Sequence, residues 1–103
     1  MGESNDFDRT VGKIAGAIYG DMTHQFPHPP LMLVPALTFK VRKALEPIKD
    51  LKQLSNDQLA TLATEIQLSI IPMLISYDIE ADVIAQVSPT IKKAALRAMN
   101  EAA

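Results

Sequence analysis

The fold of this chain is decided by the stretch LATLATEIQLSIIPMLISY, which covers residues 59–77 and carries a single formal charge, Glu65. Its apolar residues recur with the spacing of an α-helix rather than the alternation of a half-buried strand. The segment from Ser55 to Gln58 directly before it has the pattern of a capping box, which marks a helix start. The stretch therefore predicts a central helix over about 56–77.

The apolar side chains of this helix fall on two arcs when they are placed at 100° per residue. The first arc comprises Ile66, Ile70, Met73, Leu74 and Tyr77. The second arc, on the opposite side, comprises Leu68, Ile71 and Ile75. A narrow polar strip between them comprises Glu65, Ser69 and Ser76. We expect the chain's own helices to cover most of the second arc, and the alternative is that the arc packs against a partner or a second copy.

Two helices are predicted before the central one. The first begins near Arg9, after a disordered tail of residues 1–6. The second begins around Pro35 and ends near Pro47, because proline suits the first turn of a helix and interrupts its interior. A proline-rich connector over 20–34 joins the two helices. Their apolar stripes are Phe7, Val11, Ile14 and Ile18 in the first helix, and Val34, Leu37, Val41, Ala44 and Ile48 in the second.

The remainder of the chain also has a helical pattern. Pro72 lies deep inside the central helix and is expected to kink or break it, because proline removes a hydrogen-bond donor. Asp78 is the predicted N-cap of a short helix, and Ser88 with Pro89 opens a final helix. The sequence thus predicts an all-α domain over 7–103, a compact bundle of four to five helices around a kinked central helix.

Composition narrows the class of protein. The 103 residues are 48% hydrophobic and 21% charged, which is typical of one globular domain and not of a disordered chain. The chain has no cysteine, which excludes disulfides, thiol nucleophiles and cysteine-ligated metals. Its first residues are acidic and polar and lack the apolar stretch of a signal peptide. We therefore expect a cytoplasmic protein that does not enter the membrane.

No residue pattern specifies a reaction, so a non-catalytic role is favoured. The three carboxylates over 78–82 are explained by the positive end of a helix dipole. His24 and His28, with Asp21 nearby, lie in a proline-containing segment that lacks a metal-binding helix pattern. A ligand-binding or enzymatic bundle needs a polar group in its core, and Glu65 is the only candidate. No catalytic residue, metal ligand or cofactor is predicted.

The function predicted from the sequence is protein–protein interaction or assembly, with a homodimer as one form of it. The predicted contact residues include the second arc: Leu68, Ile71 and Ile75. Gly12 and Gly16 are also assigned to the contact surface, because glycines at a spacing of four, continued by Gly20, let two helices approach closely. Gly20 is the predicted end of the first helix.

The alternative function is that of a small nucleic-acid-binding regulator. Residues 31–52 carry five basic and two acidic side chains, whereas residues 53–89 carry five acidic side chains and no basic one. The basic residues of the alternative site are Lys40, Arg42, Lys43, Lys49 and Lys52. Such alternation of charge can also orient one subunit against another.

Overall fold

Four α-helices build the described part of the chain. The computed structural model describes residues 2–26, 29–48 and 50–102, with side chains described from residue 6 onward. The helices are α1 (Gly2–Met22), α2 (Leu33–Leu45), α3 (Asn56–Ser76) and α4 (Ala81–Ala102), and a one-turn 3-10 helix (Leu51–Gln53) precedes α3. No strand occurs within these ranges. The all-α prediction is confirmed.

The helices pack in an up-down-up-down order. Each helix contacts the next one along the chain, and α4 contacts α1 to close the bundle. Arg42 near the end of α2 donates a hydrogen bond of 2.7 Å to Asp8 near the start of α1, so these two helices are antiparallel. Gln67 of α3 donates to the carbonyl oxygen of Ser88 in α4 at 2.8 Å, across the short link 77–80.

The first arc of α3 faces the centre of the bundle. Ile66, Ile70 and Leu74 are fully buried, as the sequence predicted, and the other helices cover them. The largest fully buried side chains of those helices are Ile14, Ile18, Met22, Leu33, Leu37, Ile91 and Met99. Burial of each such side chain stabilises the fold by about 1.5–3 kcal/mol. The core is thus aliphatic and held by burial alone.

The start of α3 is the capping box that the sequence predicted. The Ser55 hydroxyl oxygen accepts a hydrogen bond from the backbone N–H of Gln58 at 3.1 Å. The side-chain oxygen of Gln58 accepts one from the backbone N–H of Ser55 at 2.8 Å. Two backbone donors that the first turn leaves unpaired are satisfied in this way.

The first helix is longer than predicted at both ends. It begins at Gly2, so helical backbone covers residues 2–6 of the predicted disordered tail. Phe7 is half-buried against the core, and no proline precedes it to stop the helix. The helix also continues through Gly20 to Met22, because the backbone of Gly20 keeps a negative φ and forms no terminating turn.

The apolar stripe of the second helix agrees with the prediction at Leu37 and Val41, which are buried, and differs at Val34. It begins at Leu33, which places Pro35 in the first turn, and it ends just before Pro47 as predicted. Its buried residues are Leu33, Leu37, Val41 and Leu45, spaced by four. Val34 is exposed, contrary to the prediction. A stripe anchored one residue earlier explains both findings.

Two prolines lie inside continuous helices. We predicted a kink or break at Pro72 and a new helix at Pro89. Helices α3 and α4 run through these positions, so the break and the new helix start are wrong, and the kink at Pro72 stays a prediction. Each proline deprives the carbonyl four residues earlier of its donor, namely Leu68 and Ala85. Both prolines and both of these residues are exposed, so water can hydrate the freed carbonyl groups.

Asp78 ends α3, whereas the sequence predicted that it would cap the following helix. Its φ of 61° lies in the left-handed region. Its backbone N–H donates to the carbonyl of Ile75 at 3.0 Å, and the N–H of Ile79 donates to that of Leu74 at 3.2 Å. This pattern is a Schellman motif with aspartate at the position where glycine is most common. The carbonyl of Glu80 then accepts the first hydrogen bond of α4.

Candidate protein-interaction surface

The second arc of α3 is left open by the rest of the chain. Leu68 is 62% exposed and Ile75 is 59% exposed, whereas Ile71 is half-buried and packs against the core. Our expectation that the chain covers this arc is therefore wrong for Leu68 and Ile75. The physical reason is that α2 and α4 are the helices packed against α3, and both lie on the side of its buried arc.

Besides Val34, three further apolar side chains are exposed on α2 and the turn before it. Leu31 is 90% exposed, Met32 is 68% exposed, and Phe39 is 55% exposed. Phe39 lies 200° from the buried Leu37 around the helix, at 100° per residue, and therefore points away from the core. The sequence did not predict these residues as an exposed apolar group. The predicted stripe included Val34 and therefore did not distinguish the buried side of α2 from its exposed side.

The exposed apolar residues lie on two adjacent helices and on the turn before the first of them. We call this set the α2–α3 apolar surface and define it by Leu31, Met32, Phe39, Leu68 and Ile75. The two helices are adjacent, and the short link between them makes them antiparallel. The start of α2 therefore lies at the same end of the bundle as the end of α3.

The apolar residues of the two helices have the same spacing along the bundle. Met32 and Phe39 are seven residues apart, and so are Ile75 and Leu68. Seven residues of helix span about 10 Å. Each pair therefore spans the same length along its own helix.

The two helices that border this surface carry opposite charge. Helix α2 contains Lys40, Arg42 and Lys43 and no acidic residue. Helix α3 contains Asp57 and Glu65 and no basic residue. The two helices therefore differ in charge, although Arg42 lies on the side of α2 that faces α1, where it pairs with Asp8.

Charged residues also continue the matched spacing of the apolar ones. Lys43 follows Phe39 by four residues, and its Nζ lies 5.8 Å from the centre of that ring. Glu65 precedes Leu68 by three residues and is exposed. Each charged residue therefore lies about one turn from the apolar residue of its own helix.

The glycine positions do not join this surface. Gly12 and Gly16 are exposed on α1, which packs against α2 and α4. A Cβ added at either position would meet no atom within 4 Å, so these glycines do not serve close helix packing within the chain. The predicted contact residues thus lie on separate sides of the bundle.

The basic residues of the alternative site are not gathered into one positive face. Arg42 is paired with Asp8 and lies 5.4 Å from the centre of the Phe7 ring. Lys43 lies 3.8 Å from Glu46. Lys40 is half-buried and Lys52 is exposed, while Lys49 lies outside the described residues. Nucleic-acid binding by this segment remains a prediction.

A cleft of about 750 Å³ lies at the end of the bundle where α1 begins and α4 ends. Its apolar lining residues include Phe7, Leu45, Ile48 and Leu51. Its charged lining residues are Arg9, Lys13, Lys52, Asp6, Asp50 and Glu101. Because the positive and negative groups are equal in number, their formal charge does not select an anion over a cation.

The residues that were considered for metal binding or catalysis, such as His24 and Glu65, do not line this cleft. Within the ranges that the structure describes, no three His, Asp or Glu side chains are grouped to hold a metal ion. His24 is exposed, and His28 lies outside those ranges. Glu65 lies on the surface, and the described core contains no buried polar or charged side chain.

Helix α3 is long and apolar enough to cross a membrane by length and composition alone. The core helix of a soluble protein meets the same criterion. Of its most apolar 18-residue window, 39% is buried in the bundle. The helix is therefore weak evidence for membrane contact.

No protein-family model matches the chain, and comparisons with curated proteins and with solved structures find no match. Inference about function therefore rests on the surface itself.

Proposed function

We propose that this chain is a small interaction or assembly protein that binds a protein partner through the α2–α3 apolar surface. The observation that carries the proposal is the exposure of Leu68 and Ile75 on the most apolar helix of the chain. Soluble monomers rarely leave large contiguous apolar patches in water, and such patches mark interaction sites. Binding is driven by burial of these side chains, at about 1.5–3 kcal/mol for each.

The size of the surface supports this function. At roughly 150–200 Å² for a large apolar side chain, its five residues expose roughly 500–650 Å². A specific interface takes about 800 Å² from each partner. Pro35 and Pro72 are also exposed on these helices and add to the area. The exposed apolar area is thus below the standard size and matches the small interfaces of transient complexes.

The proposal is tested by photo-crosslinking from the surface in the protein's native cells. Ile75 is replaced by benzoylphenylalanine, and the matched control carries the same residue at Lys93, an exposed position on α4. We expect protein adducts from position 75 and none from position 93. Mass spectrometry identifies the crosslinked chains.

A second variant tests whether the adducts depend on the apolar surface. Leu68→Glu in the crosslinking protein should abolish the adducts while the helical circular dichroism stays unchanged, because the side chain is exposed. Adducts that persist in this variant, adducts to lipid in place of protein, or no adducts at all would contradict the proposal.

A further inference from the structure

We propose that Met32 is an oxidation site that regulates partner binding, because a peroxide converts its apolar thioether into a polar sulfoxide. This inference rests on the proposed function, since Met32 belongs to the α2–α3 apolar surface. The chain has no cysteine, so its methionines are the only sulfur-containing side chains that a mild oxidant can attack. Which methionine reacts then depends on access to solvent.

Burial distinguishes Met32 from the other methionines that the structure describes. The side chain of Met32 is 68% exposed. Met22 and Met99 are fully buried in the core, and Met73 is 8% exposed. Met1 lies outside the described residues. A dissolved peroxide therefore reaches the sulfur of Met32 in the folded chain, whereas the three core methionines react only when the fold opens.

The fold does not depend on the thioether of Met32. The residue occupies the N-cap position of α2, and its side chain makes no capping hydrogen bond. Its backbone carbonyl accepts the hydrogen bond of the helix start, from the N–H of Ala36 at 3.3 Å. An oxygen added to the exposed side chain therefore breaks no hydrogen bond and leaves the core unchanged.

The reaction transfers one oxygen atom from hydrogen peroxide to the sulfur of Met32. A lone pair of the sulfur attacks one peroxide oxygen, so the S–O bond forms as the O–O bond breaks. The leaving hydroxide takes the proton from the transferred oxygen and becomes water. Sulfur thus loses two electrons and the peroxide gains them. The product is a methionine sulfoxide, whose oxygen is a hydrogen-bond acceptor.

The sulfoxide opposes burial on the outer side of α2. Met32 and Phe39 are seven residues apart and therefore share one side of the helix. A partner that covers this side removes the sulfur from water, and a sulfoxide oxygen buried there without a donor keeps an uncompensated desolvation cost. Oxidation should therefore weaken partner binding roughly tenfold or more.

Selective oxidation is measured on the purified full chain by peptide mass spectrometry during exposure to dilute hydrogen peroxide. In the folded chain we expect Met32 to be oxidised roughly tenfold faster than Met22 and Met99, or more, and after unfolding in urea we expect similar rates. The helical circular dichroism should stay unchanged once Met32 is oxidised. Equal rates in the folded chain, or a loss of helix, would overturn the inference.

The effect on binding is measured with benzoylphenylalanine in place of Phe39, two turns from Met32. The purified chain, untreated or oxidised and then freed of peroxide, is irradiated in a desalted extract of its native cells. We expect protein adducts from the untreated chain and roughly tenfold fewer from the oxidised one. Met32→Leu is the matched control, because it keeps an apolar side chain and removes the sulfur, so its adducts should survive the same treatment.

The outcomes separate this inference from the proposed function. Adducts that persist after oxidation, or a Met32→Leu chain that loses its adducts on oxidation, would overturn the inference alone. If position 39 gives no adducts while position 75 does, the partner does not cover this side of α2, and the inference fails while the proposed function stands. Adducts from neither position would end both.

Discussion

A single backbone conformation lies between α3 and α4. Asp78 has a φ of 61°, and it alone among the described non-glycine residues has a positive φ. A left-handed conformation costs an L-residue about 1–2 kcal/mol, and aspartate less than most. The sequence suggested an N-cap here because aspartate suits both positions. The hydrogen bonds to the carbonyls of Leu74 and Ile75 show that Asp78 ends α3 and does not cap α4.

Asp78→Gly should raise the free energy of unfolding by about 0.5–1 kcal/mol, because glycine adopts this conformation without a Cβ clash. Urea unfolding followed by circular dichroism measures the change. Asp78→Asn is the control, since it removes the charge and keeps a residue that tolerates the left-handed region. Greater stability in Asp78→Asn than in Asp78→Gly would assign the effect to charge and contradict the prediction.

Helix α3 illustrates what sequence can determine about an element. Its cap at Ser55 and its buried arc followed from local pairing and from helical spacing, both of which are properties of adjacent residues. The exposure of its second arc could not be predicted in this way. The sequence shows that Leu68 and Ile75 are apolar and share a side of the helix, but not whether another helix covers them. The continuity at Pro72 was also missed, since it depends on water reaching the carbonyl of Leu68 on an open side.

The two arcs of α3 should respond differently to truncation. Ile70→Ala should lower the free energy of unfolding by about 2–5 kcal/mol, because it leaves a cavity in the core. Leu68→Ala should change it by less than about 1 kcal/mol, measured by urea unfolding at a concentration where the chain is monomeric. Equal losses would mean that both arcs are internal and that the surface is not available to a partner.

At the scale of the whole molecule, the order of charge along the chain is retained in the helices. Helix α2 carries three basic residues and no acidic one, and α3 carries two acidic residues and no basic one. The sequence shows this difference, but which charges are paired depends on the packing of the bundle, since Arg42 pairs with Asp8 of α1.

The wholly aliphatic core has a consequence for how this fold tolerates change. Within the described residues, no buried polar group requires a particular partner, so the interior constrains volume and pattern more than identity. Such interiors accept exchanges among Leu, Ile, Val and Met when the total volume is kept. Unique alignment of the helices then depends on interlocking shape, on the two bonds from Gln67 to Ser88, and on the turns at the ends. When several core residues of such a protein are exchanged without preserving volume, we expect the helices to lose their unique alignment before the chain unfolds.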